Sequence, residues 1–187
     1  MTEAGDAPAP DQASLHAAAL RHLARYGTSA AGLRRVLDRR VERWARSAAA
    51  EPEAVARSKQ AVRAVIARLI AAGALDDDAF AAGRARRLAR SGHSRAGVAA
   101  HLAARGIGRE TARAAFPDAE DAELAAALAL ARRRRIGPFR AGAADAEVRR
   151  RELGVLARAG FPREVAVRAL AMEPEAAEEL VRRLRQP

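Results

Sequence analysis

One helical unit recurs along this chain, and that recurrence constrains the fold more tightly than any figure of composition. When Leu20–Arg40 is laid over Ala85–Arg105, Leu23 meets Leu88, Gly27 meets Gly92, Ser29 meets Ser94, Gly32 meets Gly97 and Leu37 meets Leu102. A second overlay places His101–Phe116 on Val155–Leu170. Self-similarity at this spacing is the mark of an array in which each unit stacks on its neighbours. Arrays present surfaces rather than deep catalytic pockets.

Alanine and arginine dominate the sequence, and aromatic residues make up only 3% of it. Alanine is the best helix former but removes little apolar area from water. A unit built from it has a thin core and needs its neighbours. The expectation is an all-α fold, an elongated array of three tandem three-helix repeats.

Helix breakers divide the chain. Residues 1–13, acidic and rich in Pro and Ala, read as a disordered tail rather than a secretory signal. The first repeat, 14–75, carries helices at about Ser14–Tyr26 and Ala30–Ser47. After the break at Glu51-Pro52, a third helix carries Val55, Val62, Val65, Ile66, Leu69 and Ile70 and ends at Gly73. Leu33, Leu37, Val41 and Trp44 share a face of the second, which favours packing for Trp44 over stacking on a base. The second repeat, 76–117, places helices at about Asp77–Ser91, Ser94–Arg105 and Arg109–Phe116. The third, 118–187, opens with Leu124, Leu128 and Ala131 spaced for one apolar face. It continues through helices near Ala144–Ala159 and Arg163–Ala171 and ends in a terminal helix starting at Glu173-Pro174.

The net charge is +11, and Lys59 is the sole lysine. A positive field of this size favours nucleic acid, another polyanion or an acidic protein surface. Codon usage can exchange lysine for arginine, but it does not create net charge. With no cysteine in the chain, thiolate chemistry, disulfides and zinc fingers are excluded. No apolar run approaches the length of a membrane span, so no membrane role is expected and the location expected is cytoplasmic.

The run Gly73-Ala74-Leu75-Asp76-Asp77-Asp78-Ala79-Phe80-Ala81 leads into an arginine-rich helix. A glycine break follows, then a helix carrying Leu102, then Arg105-Gly106-Ile107. This segment resembles the centre of the RecX family of bacterial recombination regulators, and the layout is similar from about Leu15 to Leu184. The resemblance implies a non-enzymatic, monomeric regulator without cofactors. Its partner would be the RecA recombinase filament, with single- or double-stranded DNA met weakly or through RecA. Such a regulator lies in the filament groove and limits ATP hydrolysis, strand exchange and coprotease activity in DNA repair and the SOS response. Asp76, Asp77, Phe80, Gly106 and Ile107 match the family pattern in architectural roles. Family members often carry an aromatic residue after the Asp-Asp pair, where this chain has Gly83-Arg84-Ala85-Arg86.

Candidate contacts are the arginines. Arg84, Arg86, Arg87, Arg90 and Arg95 cluster in the middle unit, with Arg86 and Arg90 on one helix face and Arg84 and Arg87 on another. Arg132, Arg133, Arg134 and Arg135 sweep roughly a full turn, so they cannot all face one surface. They either meet a polyanion or complement a helix C-terminus. Asp76, Asp77 and Asp78 lack the glycine and distal glutamate of a calcium loop and suit a helix N-terminus instead. The histidines His16, His22, His93 and His101 show no ligand or triad spacing, and no nucleotide-binding loop or nucleophile elbow occurs. The alternative to a filament regulator is a sequence-independent DNA-binding protein that acts without RecA.

Overall fold

Serine and aspartate side chains open several of the helices, Ser29 and Ser94 at overlaid positions of the repeat. A computed structural model describes residues 8–118 and 121–185, and every regular element among them is helical. The chain divides into two compact units, the first closing at Phe80 and the second opening at Ala81.

The first unit contains α1 (Gln12–Leu23), α2 (Ala30–Ser47) and α3 (Pro52–Ala71). Residues 1–7 of the expected tail lie outside the described residues. Asp11 accepts a hydrogen bond from the Ser14 amide (2.9 Å), so α1 opens at Gln12, ahead of the expected Ser14. The same contacts hold the Asp11 carboxyl below its usual range, the Ser14 amide first among them. Ser29 caps α2 by accepting from the Gly32 amide (3.1 Å), and Pro52 starts α3 with its φ already helical.

Apolar residues at helical spacing then meet inside. Leu15 and Ala19 of α1, Leu33, Leu37 and Val41 of α2, and Val62, Val65, Ile66 and Leu69 of α3 form one buried cluster. Gly73, at φ +67°, turns the chain off α3. Leu75 then folds back into the cluster, and its amide donates to the Leu69 carbonyl. Trp44 stands apart from this core: it is half-buried and lines a groove with Pro8, Pro10, Arg40 and Arg43.

The chain passes into the second unit within α4 (Asp77–Arg90), followed by α5 (Arg95–Ala103), α6 (Arg109–Ala114) and α7 (Ala122–Arg134). After the 3₁₀ turn Gly137–Phe139 come α8 (Ala146–Arg158), α9 (Arg163–Leu170) and α10 (Pro174–Arg185). Helix α7 is the centre, packed by α8, α9 and α10. Its spacing predicts one apolar face, yet every residue from Leu124 to Ala131 is buried. A helix of alanine and leucine around its whole circumference has no side to solvate, so neighbours must cover it completely. The short alanines let them come close.

The overlaid segments adopt closely matching local geometry. Ser94 caps α5 by accepting from the Gly97 amide at 3.1 Å, as Ser29 does from Gly32 at 3.1 Å. In both, a side chain on the glycine would press on the cap hydroxyl, at 3.3 Å and 3.2 Å respectively. Gly106 (φ +81°) and Gly160 (φ +83°) end their helices alike. The following amides, of Ile107 and Phe161, each donate back over 3.2 Å to Leu102 and Leu156, and both side chains are buried.

Candidate functional site

The family-pattern residues are tied into the fold. Asp76 caps its own helix through the Ala79 amide (2.8 Å), whereas Asp77 reaches the Ala30 amide at the start of α2 (2.8 Å). The adjacent aspartates thus close two different helix N-termini, where carboxylates also favour the positive end of the dipole. Phe80 is half-buried, and Gly106 and Ile107 form the helix stop described above. Among the described residues, no group of three or more His, Asp or Glu side chains could hold a metal ion.

The candidate arginines separate into two sets. Five are engaged by the protein itself. Arg84 donates from Nε to His101 Nε2 (3.2 Å) and Arg90 from Nε to the Leu184 carbonyl (3.0 Å). The Arg90 contact places a cation on the C-terminal turn of α10, where free carbonyls favour it. Arg95 pairs with Glu123 (3.7 Å) and lies over the Phe116 ring at 4.6 Å. Arg132 pairs with Glu178 (3.3 Å), and Arg133 donates from Nη1 to the Ser91 carbonyl (2.9 Å).

The other four are exposed. Among the described residues, the side chains of Arg86, Arg87, Arg134 and Arg135 form no ion pair or hydrogen bond. Arg135 takes a left-handed backbone (φ +55°) to end α7. Sequence alone cannot divide these arginines; only packing separates those used by the fold from those left over.

Arg84 also fixes a proton. An Arg Nε can only donate, so His101 Nε2 must be unprotonated, with the ring proton on Nδ1. Burial, followed by the charges of Arg105, Arg84 and His93, holds the His101 imidazole below its usual range. His101 is therefore a neutral acceptor that positions an arginine.

Two residues outside the candidate contacts belong with these arginines. Arg158, at the end of α8, and His93, in the turn before α5, line a groove with Arg133 and Arg134. His93 carries a local signal, since it follows the turn glycine Gly92. Arg158 carries none, because only the packing of α8 on α7 brings it there. Tyr26 is exposed beside His22, their ring centroids 5.2 Å apart.

Fold and surface together define an all-helical, strongly basic protein with surface arginines that its own packing does not use. No described helix is long and apolar enough to cross a membrane. The chain is 38% identical over 164 residues, 86% of either chain, to the regulatory protein RecX of Myxococcus xanthus. It is 40% identical over 108 residues, 58% of either chain, to the regulatory protein RecX of Agrobacterium fabrum. The chain belongs to the RecX family of regulatory proteins. No family model matches it. No solved structure matches it either.

Proposed function

We propose that this protein regulates a RecA recombinase by binding the RecA–DNA filament and limiting its ATP hydrolysis, strand exchange and coprotease activity. The observation that carries this reading is similarity to a RecX regulatory protein over 86% of the chain. The exposed, unpaired arginines Arg86, Arg87, Arg134 and Arg135 supply a surface suited to a polyanionic filament. Such contacts are weak singly and add when one molecule makes several of them at once.

In this reading the protein is a cytoplasmic monomer, free of cofactors, that works by occupancy rather than by catalysis. It consists of three tandem three-helix repeats: 14–75, 76–117, and 118–187 with its terminal helix. The paired serine caps and paired glycine stops support that division, because they recur at overlaid positions with the same hydrogen bonds.

The test is single-strand-DNA-dependent ATP hydrolysis by the cognate RecA, with this protein titrated to equimolar ratio and beyond. The expected outcome is progressive inhibition, with the protein co-sedimenting with preformed filaments. Unchanged hydrolysis and no co-sedimentation would overturn the proposal.

A further inference from the structure

We propose that the groove bounded by Arg133, Arg134, Arg158 and His93 is a seat for the phosphodiester backbone of nucleic acid. It has a volume of about 400 Å³, and Leu130 and Val155 contribute its apolar lining. Among the described residues, no carboxylate lines it. Elsewhere in this unit arginines find acidic partners, as Arg95 does in Glu123 and Arg132 in Glu178. Here three guanidinium groups share one groove with no compensating charge, an arrangement that repels itself until an anion arrives.

The groove is preorganised. A Cβ on Gly92 would fall 2.7 Å from the Leu130 amide nitrogen, so the turn between α4 and α5 rests directly on the backbone of α7. That contact brings the Ser91 carbonyl to Arg133 Nη1 and fixes one guanidinium (2.9 Å). Arg158 lies back along its own helix, 3.2 Å from where a Gly154 side chain would begin, so the missing side chain makes its berth. His93 is oriented by its Nδ1, which donates to the Leu88 carbonyl (3.1 Å), so its ring forms one fixed wall of the groove.

Planar guanidinium forks match phosphate oxygens bidentately, and the contact carries no base information. The ligand is therefore a sugar-phosphate backbone irrespective of sequence. It need not be presented by a recombinase, so this site stands or falls separately from the filament reading.

The experiment measures binding of a fluorescent single-stranded oligonucleotide and of its duplex by anisotropy, across a salt series, with no recombinase present. The test variant is R134A/R158A, chosen because neither side chain supports another part of the fold. R109A/R113A removes equal charge from exposed positions on α6, and circular dichroism checks that both variants fold. The expected result is about tenfold weaker binding by R134A/R158A, with a single-strand salt slope shallower by about 1.4, as for two lost phosphate contacts. R109A/R113A should stay within about twofold of the unmodified protein, the small change that diffuse charge alone produces. Equal weakening by both variants would mean that net charge alone binds nucleic acid, and unchanged binding by R134A/R158A would also overturn the groove. R133A, tested alongside, should follow R134A/R158A if its anchorage on Ser91 serves the ligand. Filament inhibition is assayed separately, so loss of oligonucleotide binding with inhibition intact would retain the groove and place the recombinase contact elsewhere.

Discussion

The arginines of α4 and those around α7 look alike in sequence but are put to different uses along each segment. On α4, Arg84 and Arg90 turn inward to His101 and Leu184, whereas Arg86 and Arg87 remain in water. At the end of α7, Arg132 and Arg133 are claimed by Glu178 and Ser91, whereas Arg134 and Arg135 are not. The difference separates two jobs that a single count of charge hides. Inward arginines close gaps between helices whose alanine cores are thin. Outward arginines are free to meet something else. Variants of the first set should cost stability, and variants of the second should cost binding.

The largest stability effect should come from an arginine paired with a buried carboxylate, which no local pattern singles out. Arg140 pairs with Glu152 at 3.5 Å and also donates to the Gly137 carbonyl at 3.3 Å, with the Glu152 side chain only 7% exposed. Replacing Glu152 by Gln leaves a nearly buried guanidinium without its counter-charge, a change that costs about 3–5 kcal/mol. Chemical denaturation should show that loss, and a shift under 1 kcal/mol would mean that water reaches Arg140 and the pair is not structural. The replacement E152Q keeps side-chain size nearly constant, so a cavity cannot account for the result.

Next in size is Arg90→Ala. It removes a charged hydrogen bond that ties α4 to the last turn of α10, contacts that are worth about 1.5–3 kcal/mol. The exposed pair Arg132–Glu178 joins α7 to the same helix, but solvent screens it and its loss should cost about 0–1 kcal/mol. Denaturation of R90A and R132A side by side sharpens the contrast. If R132A proves the more damaging, the C-terminal helix is held by the ion pair rather than by the carbonyl clamp.

Much of the scaffold is legible from sequence because its signals are local. Helix α2 spans the expected Ala30–Ser47, since Ser29 caps it and Leu33, Leu37 and Val41 repeat at helical spacing. Gly73, Gly92, Gly106 and Gly160 all turn the chain with positive φ where helices are expected to stop. What sequence does not reveal is tertiary. The burial of α7 on every side depends on three later helices packing around it. Asp77 reaches back to Ala30, Arg90 reaches forward to Leu184, and Arg140 meets Glu152 across a loop. None of these distances in sequence has a periodicity to announce it. For the same reason the groove residue Arg158 stays hidden among ordinary helix-end residues.

The smallest stability effect, and the sharpest test of the division, belongs to R86A/R87A. Both side chains are exposed and make no ion pair or hydrogen bond among the described residues, so unfolding free energy should change by no more than about 0.5 kcal/mol. Alanine is also the better helix former, which offsets any loss of solvated charge. Co-sedimentation with RecA filaments should nevertheless weaken, with a shallower dependence on salt, because fewer ionic contacts remain to be screened. Retained helicity with lost filament binding assigns these two residues to the partner. Lost helicity would return them to the fold, and the line between inward and outward arginines would then have to be redrawn along α4.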